Sequence, residues 1–316
     1  MQESHNSKHS EDFDDEIDLR ELFYVLLGGK WIIISLTAFV SIIGVIYSLS
    51  LPNIYTSRAL LTPVTSSSSF SGALQGYSAI AGMAGINLSS GGGSESNSVK
   101  AIHKLSSLSF FENNILKNIF LPDLMAVESY NYATNTLTYD QSIYNKKSNA
   151  WVRDYSYPRK QIPSAQESFY VFISEHLSIS EDAKTGFITI SIRHQSPFVA
   201  KQWTELVINE VNTFYRQRDK SESEKAVNYL NQKISMTGLS EIKQVIAQLL
   251  QEETKKLTLI EANEFYVFEY IDPPFVKEQK SEPRRSLICI LSALLGGMLS
   301  IFLVLIKHYF FKKKNA

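Results

Sequence analysis

Two stretches of the chain carry no charge. From Trp31 to Ser57 and again from Ser286 to Ile306 there is no Asp, Glu, Lys or Arg, and each run exceeds the ~18 residues that mark a membrane-spanning helix. In the first, Ile32, Ile33, Ile34, Leu36, Phe39, Val40, Ile42, Ile43, Val45, Ile46 and Leu49 each favour insertion by roughly 0.3 to 0.6 kcal/mol. A cleaved signal peptide fits poorly, because the preceding "EDFDDEIDLRE" is long and acidic and no small-x-small cleavage site follows. A buried core helix rarely stays uncharged over the length of the second run. The pattern therefore predicts a tail at 1–30, spans at 31–51 and 286–306, a large intervening region at 52–285 and a short tail at 307–316.

Two spans place both termini on one side. Arg20 and Lys30 precede the first span and Arg58 follows it, while Lys277, Lys280, Arg284 and Arg285 balance Lys307, Lys312, Lys313 and Lys314 about the second; charge does not decide the orientation, and a loop of this length translocates largely regardless of it. Since neither tail holds a folded domain, both are expected in the cytoplasm.

Between the spans, "NIYTSRALLTPV" is rich in β-branched and aromatic residues and predicts a strand. A Ser-, Gly- and Ala-rich segment follows, from Thr65 to Ser98, and reads as irregular. "NSVKAIHKLSSLSFFENNILKNIF" predicts one helix, with Ile102, Leu105, Leu108 or Ser109, and Phe110 or Phe111 near one face. Residues 129–159 are polar, tyrosine-rich and without periodicity, and read as loop. "HLSISEDAKTGFITISIRH" alternates apolar with polar about "EDAKTG", a β-hairpin.

Ser196-Pro197 is a helix start, with serine as N-cap and proline at the first position. Trp203, Leu206, Val207, Val211 and Phe214 form a stripe that resumes at Ala226, Leu230 and Ile234 with no breaker between. One helix from 197 to 236 would be on the order of 60 Å long. Gly238 predicts a turn and Ser240 a new N-cap. The stripe Ile242, Val245, Ile246, Leu249, Leu250, Leu257 and Ile260 predicts a returning helix. "EFYVFEYIDPP" predicts a last strand. The fold class expected is α+β: a base from about 52–128, 160–200 and 264–275, with a helical hairpin projecting from it at about 197–263.

Composition removes several functions. Lys and Arg total 31 against 32 Asp and Glu in 316 residues, a net charge of −1, and no nucleic-acid motif is visible, so no nucleic acid is expected as a partner. The one cysteine, Cys289, lies in the second apolar run and can only be an apolar filler. No GxxxxGK[ST], HExxH, CxxC, GxSxG or DxDxDG pattern occurs. His103, His176 and His194 are scattered and read as surface or packing residues. Trp203, at helical spacing, reads as core. No catalytic, cofactor-binding or metal-binding residue is expected, and the chain is read as not an enzyme.

Small residues recur in both spans. Ser292, Gly296 and Ser300 repeat every four residues, as do Ala293 and Gly297, and Thr37, Ser41, Gly44 and Ser48 offer a counterpart. Such faces let helices approach closely, so Gly44, Ser48, Ser292, Gly296, Gly297 and Ser300 are expected to pack the spans together.

Read together, the two ends resemble the Wzz-type chain-length determinants, the polysaccharide co-polymerases of bacterial inner membranes. The resemblance rests on "EIDLRELFYVLLGGKWIIISLTAFVSIIGVIYSLSLPNIYTSRALLTP" with its acidic "IDL", its "GKW" and Pro52 in "LPNIYTS". It rests equally on "IDPPFVKEQKSEPRRSLICILSALLGGMLSIFLVLI", where Pro273, Pro283, Gly296 and Gly297 stand at matching positions and Arg284 and Arg285 can reach lipid headgroups, and on "MAGINLSSGGGS" in between. The resemblance implies a periplasmic, ferredoxin-like base, a long projecting helix and a homo-oligomeric ring. It further implies control of the modal length of O-antigen or a related polymer that a Wzy-type polymerase assembles on undecaprenyl carriers. The kinase-bearing branch is not expected, since about ten residues follow the second span. The alternatives are a two-span membrane sensor, a carbohydrate-binding protein, or a regulator of enterobacterial common antigen, capsule or exopolysaccharide.

Overall fold

The structure is a computed structural model that describes residues 19–64 and 97–314. The small-residue segment and its "MAGINLSSGGGS" lie outside the described residues. Two compact units divide the chain: 1–52 with 282–316, and 53–281.

The first unit is helical. A helix not foreseen from the sequence, α1 (Leu19–Gly28), precedes α2 (Lys30–Ser50). The last helix, α9 (Arg285–Lys314), packs along α2 and continues past the uncharged run. Both α2 and α9 are long and apolar enough to cross a membrane. Phe39, Ile42, Ile46, Leu294, Leu295, Met298 and Phe302 on these helices are exposed, as lipid-facing side chains are and core side chains are not.

The second unit is built on a four-stranded antiparallel sheet of β1 (Tyr55–Pro63), β6 (Leu177–Glu181), β7 (Ile188–His194) and β8 (Phe268–Asp272), in the order β6-β7-β1-β8. With strands taken in chain order this is 2-3-1-4, the arrangement of a split β-α-β-β-α-β unit. Alternation selects the buried face: Tyr55, Ser57, Ala59 and Leu61 of β1 and Ile188, Ile190, Ile192 and His194 of β7 all point inward.

That face is covered by the first half of α7 (Pro197–Met236), through Trp203, Val207, Ile208, Val211 and Tyr215. Ser196 caps the helix, its Oγ accepting from Val199 N at 3.4 Å, and Pro197 opens it. No glycine or proline interrupts it for 40 residues, on the order of 60 Å of helix. The returning α8 (Ser240–Ala262) lies antiparallel to its second half. Leu230 meets Val245, Ile246 and Leu249 in a small core of their own.

Four expectations require correction. Residues 97–118 are not one helix: α3 (Asn97–Leu105) ends, Ser107 caps a new start by accepting from Phe110 N, and α4 (Leu108–Phe110) runs on through a π turn and a 3-10 turn to Asn118. A short α5 (Leu121–Met125) follows. Residues 129–159 are not simply loop. They hold two hairpins, β2 (Val127–Asn131) with β3 (Thr136–Tyr139) and β4 (Tyr144–Asn145) with β5 (Ala150–Trp151). Asn135 and Asn149 adopt φ of 50° and 49° there, a left-handed conformation that asparagine tolerates better than most residues.

A helix unread in the sequence, α6 (Ala165–Val171), starts at a reciprocal cap: Ser164 Oγ accepts from Glu167 N, and Glu167 Oε2 accepts from Ser164 N. It ends in a π turn over 172–176. Finally, Leu239 rather than Ser240 occupies the cap position of α8, with no side-chain hydrogen bond.

Candidate functional site

Helical geometry decides which small residues of the first unit meet. A Cβ on Gly44 would fall on Ser292, 2.5 Å from its Cβ, and one on Gly296 would lie 3.0 Å from Val40 Cβ and 3.3 Å from Thr37 Cα. Nothing lies within 4 Å of a Cβ on Gly297. Successive residues on a helix are rotated by about 100°, so with Gly296 in the seam its neighbour is turned out of it. Ser48 and Ser300 are buried. Ser300 Oγ donates to Gly297 O at 2.7 Å, which leaves Thr37 Oγ1 to donate to Ser300 Oγ across the seam at 3.3 Å.

In the second unit, the long helix is fastened to the segment that leads into β8. Asn212, buried on α7, accepts from Val267 N at 2.8 Å and Phe268 N at 2.9 Å through Oδ1, and donates through Nδ2 to Phe268 O at 3.0 Å. Two turns on, Asp219 accepts from Tyr266 OH at 2.6 Å and from Arg218 Nε at 2.8 Å. Arg216 donates to the carbonyls of Asn263 and Glu264, and Lys220 pairs with Glu261 at 2.7 Å. Burial, and then the bond to Asp219, hold the Tyr266 phenol protonated, its pKa pushed far above the ordinary value. These contacts tie down α7 where it leaves the sheet. They are the chemistry of a structural clamp: the side chains of Asn212 and Asp219 are spent on partners across it.

The two histidines that looked scattered are neighbours in the base. His176 precedes β6, His194 ends β7, and their rings lie 5.6 Å apart against Trp203. Ser196 N donates to His194 Nδ1 at 2.9 Å while His194 Nε2 donates to Asp123 O at 3.0 Å, and His176 Nδ1 donates to Arg193 O at 2.6 Å. His194, accepting at one nitrogen and donating at the other, is thus neutral. Burial, reinforced by His194, lowers the His176 pKa to about 4, and burial also lowers that of His194.

The folded state binds fewer protons than the unfolded one, whose histidines titrate near 6.5, so stability is full above that pH and is lost below it. The fluorescence-monitored unfolding free energy of the full chain in detergent is expected to fall as pH drops from 6.5 toward 4, by on the order of 3 kcal/mol for His176. His176→Leu is expected to flatten that slope.

Among the described residues, no group of three or more His, Cys, Asp or Glu is placed to hold a metal ion. Trp203 is buried in the main core. Pro52, Pro273, Pro283 and Arg284 lie in the connections outside the strands and helices, and Arg285 opens α9.

Residues 15–113 match the family model Wzz, described as chain length determinant protein. The N-terminal part of the chain is thus similar to the chain length determinant family. The matched segment holds α1, α2, β1, α3 and α4, so it contributes Thr37, Val40 and Gly44 to the seam, and α9 supplies the other side from beyond it. Among solved structures, a full-length bacterial polysaccharide co-polymerase is similar at 16% identity over 93% of this chain and 99% of that one, with a TM-score of 0.40. A fragment of WzzB, a polysaccharide co-polymerase from Salmonella Typhimurium, is similar at 14% identity over 73% and 100%, with a TM-score of 0.27. No curated protein matches the chain.

Proposed function

We propose that this protein is a non-enzymatic regulator of the chain length of a surface polysaccharide, O-antigen of lipopolysaccharide in the first instance. It acts as a homo-oligomer in the bacterial inner membrane, with both termini cytoplasmic and residues 52–285 periplasmic. Its partner is a Wzy-type polymerase working on undecaprenyl-linked chains. The observation that carries the reading is the chain length determinant match over 15–113, joined to a second apolar helix at the other end of the chain. The fastened α7–α8 pair supports it by supplying a rigid element long enough for neighbouring subunits to share. Asn212 and Asp219 of the clamp are engaged with backbone and side-chain partners, and His194 is held at both ring nitrogens by backbone groups, which favours a scaffold over a reaction centre.

Deleting the gene and separating lipopolysaccharide by gel electrophoresis tests the reading. Loss of a modal cluster in the ladder is expected, with restoration by the gene in trans. An unchanged ladder would rule out O-antigen, and the same comparison on capsule and common antigen would then decide whether any polymer is regulated.

A further inference from the structure

We propose that the β2–β3 hairpin is a membrane foot, holding Tyr132 in the lipid headgroup zone together with Phe275, Lys277 and Lys280. The proposal rests on the reading of α2 and α9 as membrane spans. Its geometry comes from two short tethers. Tyr55 stands five residues after Ser50, the last residue of α2, so the chain allows it at most ~17 Å from the end of that helix. The second tether returns to the same point: Ser281 N donates to Ile54 O at 2.8 Å, Ser281 Oγ accepts from Thr56 N at 3.1 Å, and Lys280 Nζ donates to Asn53 Oδ1 at 3.3 Å. From Ser281 only four residues remain to Arg285, where α9 begins. The start of β1 is thereby separated from the ends of both helices by only a few residues of chain.

Onto this point folds a hairpin from far along the chain. Tyr132 stacks on Tyr55 with ring centroids 6.3 Å apart and planes at 23°, and Tyr130 stands edge-on to both at 6.3 and 6.4 Å. Tyr55 is buried beneath them, whereas Tyr132 is 56% exposed. Beside it, Ser57 Oγ donates to Phe275 O at 3.1 Å, and Phe275 is exposed with Lys277 Nζ 5.2 Å from its ring centre. Exposed aromatic rings and long lysines together, at a point tethered to the bilayer, are the side chains that the membrane–water boundary selects. The rings take the boundary itself, and the ammonium groups reach the phosphates.

The test uses the full chain with Cys289→Ser, reconstituted in phosphatidylethanolamine and phosphatidylglycerol vesicles and labelled with a fluorophore at a single new cysteine. Ala133→Cys, beside the intact tyrosines, is compared with Ser235→Cys near the far end of α7 and with Tyr47→Cys inside α2. Spin-labelled headgroup lipid is expected to quench the label at 133 several-fold more than the label at 235, and Tyr130→Ser with Tyr132→Ser is expected to lower that quenching. Equal quenching at 133 and 235, with Tyr47→Cys reached by acyl-chain quencher, overturns the foot and leaves the spans intact. Failure of the quencher to reach position 47 overturns the membrane reading itself, and the foot with it.

Discussion

Leucine at Gly44 or at Gly296 is expected to separate α2 from α9, while leucine at Gly297 leaves them together. The seam closes because these two glycines let backbones come within reach of Ser292 and of Thr37 and Val40. At Gly296 the first obstacle includes the Thr37 backbone, which has no rotamer to escape into. At Gly44 it is the Cβ of a serine whose hydroxyl is engaged with Cys289 O at 2.9 Å. Overpacking costs about 1 to 3 kcal/mol, and lipid tails offer no hydrophobic force to press the helices back together.

The readout is oxidative cross-linking of Thr37→Cys to Ser300→Cys in a Cys289→Ser chain, a pair whose hydroxyls lie 3.3 Å apart. Efficient cross-linking is expected with glycine at 44 and 296 and with leucine at 297, and little with leucine at 44 or 296. If leucine at 297 opened the seam as much as leucine at 296, the assignment of faces would be wrong.

Asn212→Leu is expected to be the most damaging single change in the second unit. It removes the acceptor for two buried backbone donors, Val267 N and Phe268 N, and the donor to Phe268 O. Leaving a buried donor unpaired costs about 1 to 3 kcal/mol, so the two together take up a large part of the ~5–15 kcal/mol that holds a domain folded. Urea unfolding of the full chain in detergent, followed by tryptophan fluorescence, is expected to shift strongly to lower denaturant. Lys220→Ala, which removes only an exposed ion pair to Glu261, is expected to leave the transition in place. A mild effect of Asn212→Leu would mean that the clamp does not carry the helix.

The same residues explain how much of this was legible beforehand. The ends of α7 were readable because Ser196-Pro197 is a local signal and the absence of glycine or proline up to 236 is a local fact. The β6–β7 hairpin was readable from strict alternation. The clamp was not: Asn212 lies among Val207, Val211 and Phe214, and nothing near it reveals that its partners stand 55 and 56 residues away. The small hairpins were missed because their strands are short and their inward residues are Tyr139, Tyr144 and Trp151, which do not register as an apolar alternation. The helix at 165–171 does carry a readable signal, Ser164 and Glu167 at capping-box spacing. In the spans, four-residue spacing identified the small faces but could not choose between Gly296 and Gly297, since that depends on where the other helix lies. The histidine pair needed the register, in which Leu177 faces Ile192 and so brings His176 close to His194.

The central claim is that the protein sets the length of a polymer without making or cleaving its bonds. The most direct measurement is the length distribution of the lipid-linked surface polysaccharide, together with its total sugar content, in the deletion strain with and without the gene restored. The account predicts that deletion abolishes the modal length while total polymerised sugar stays near its original level, and that restoration recovers the mode. Loss of polymerised sugar altogether, or an unchanged length distribution for every surface polymer, would contradict it.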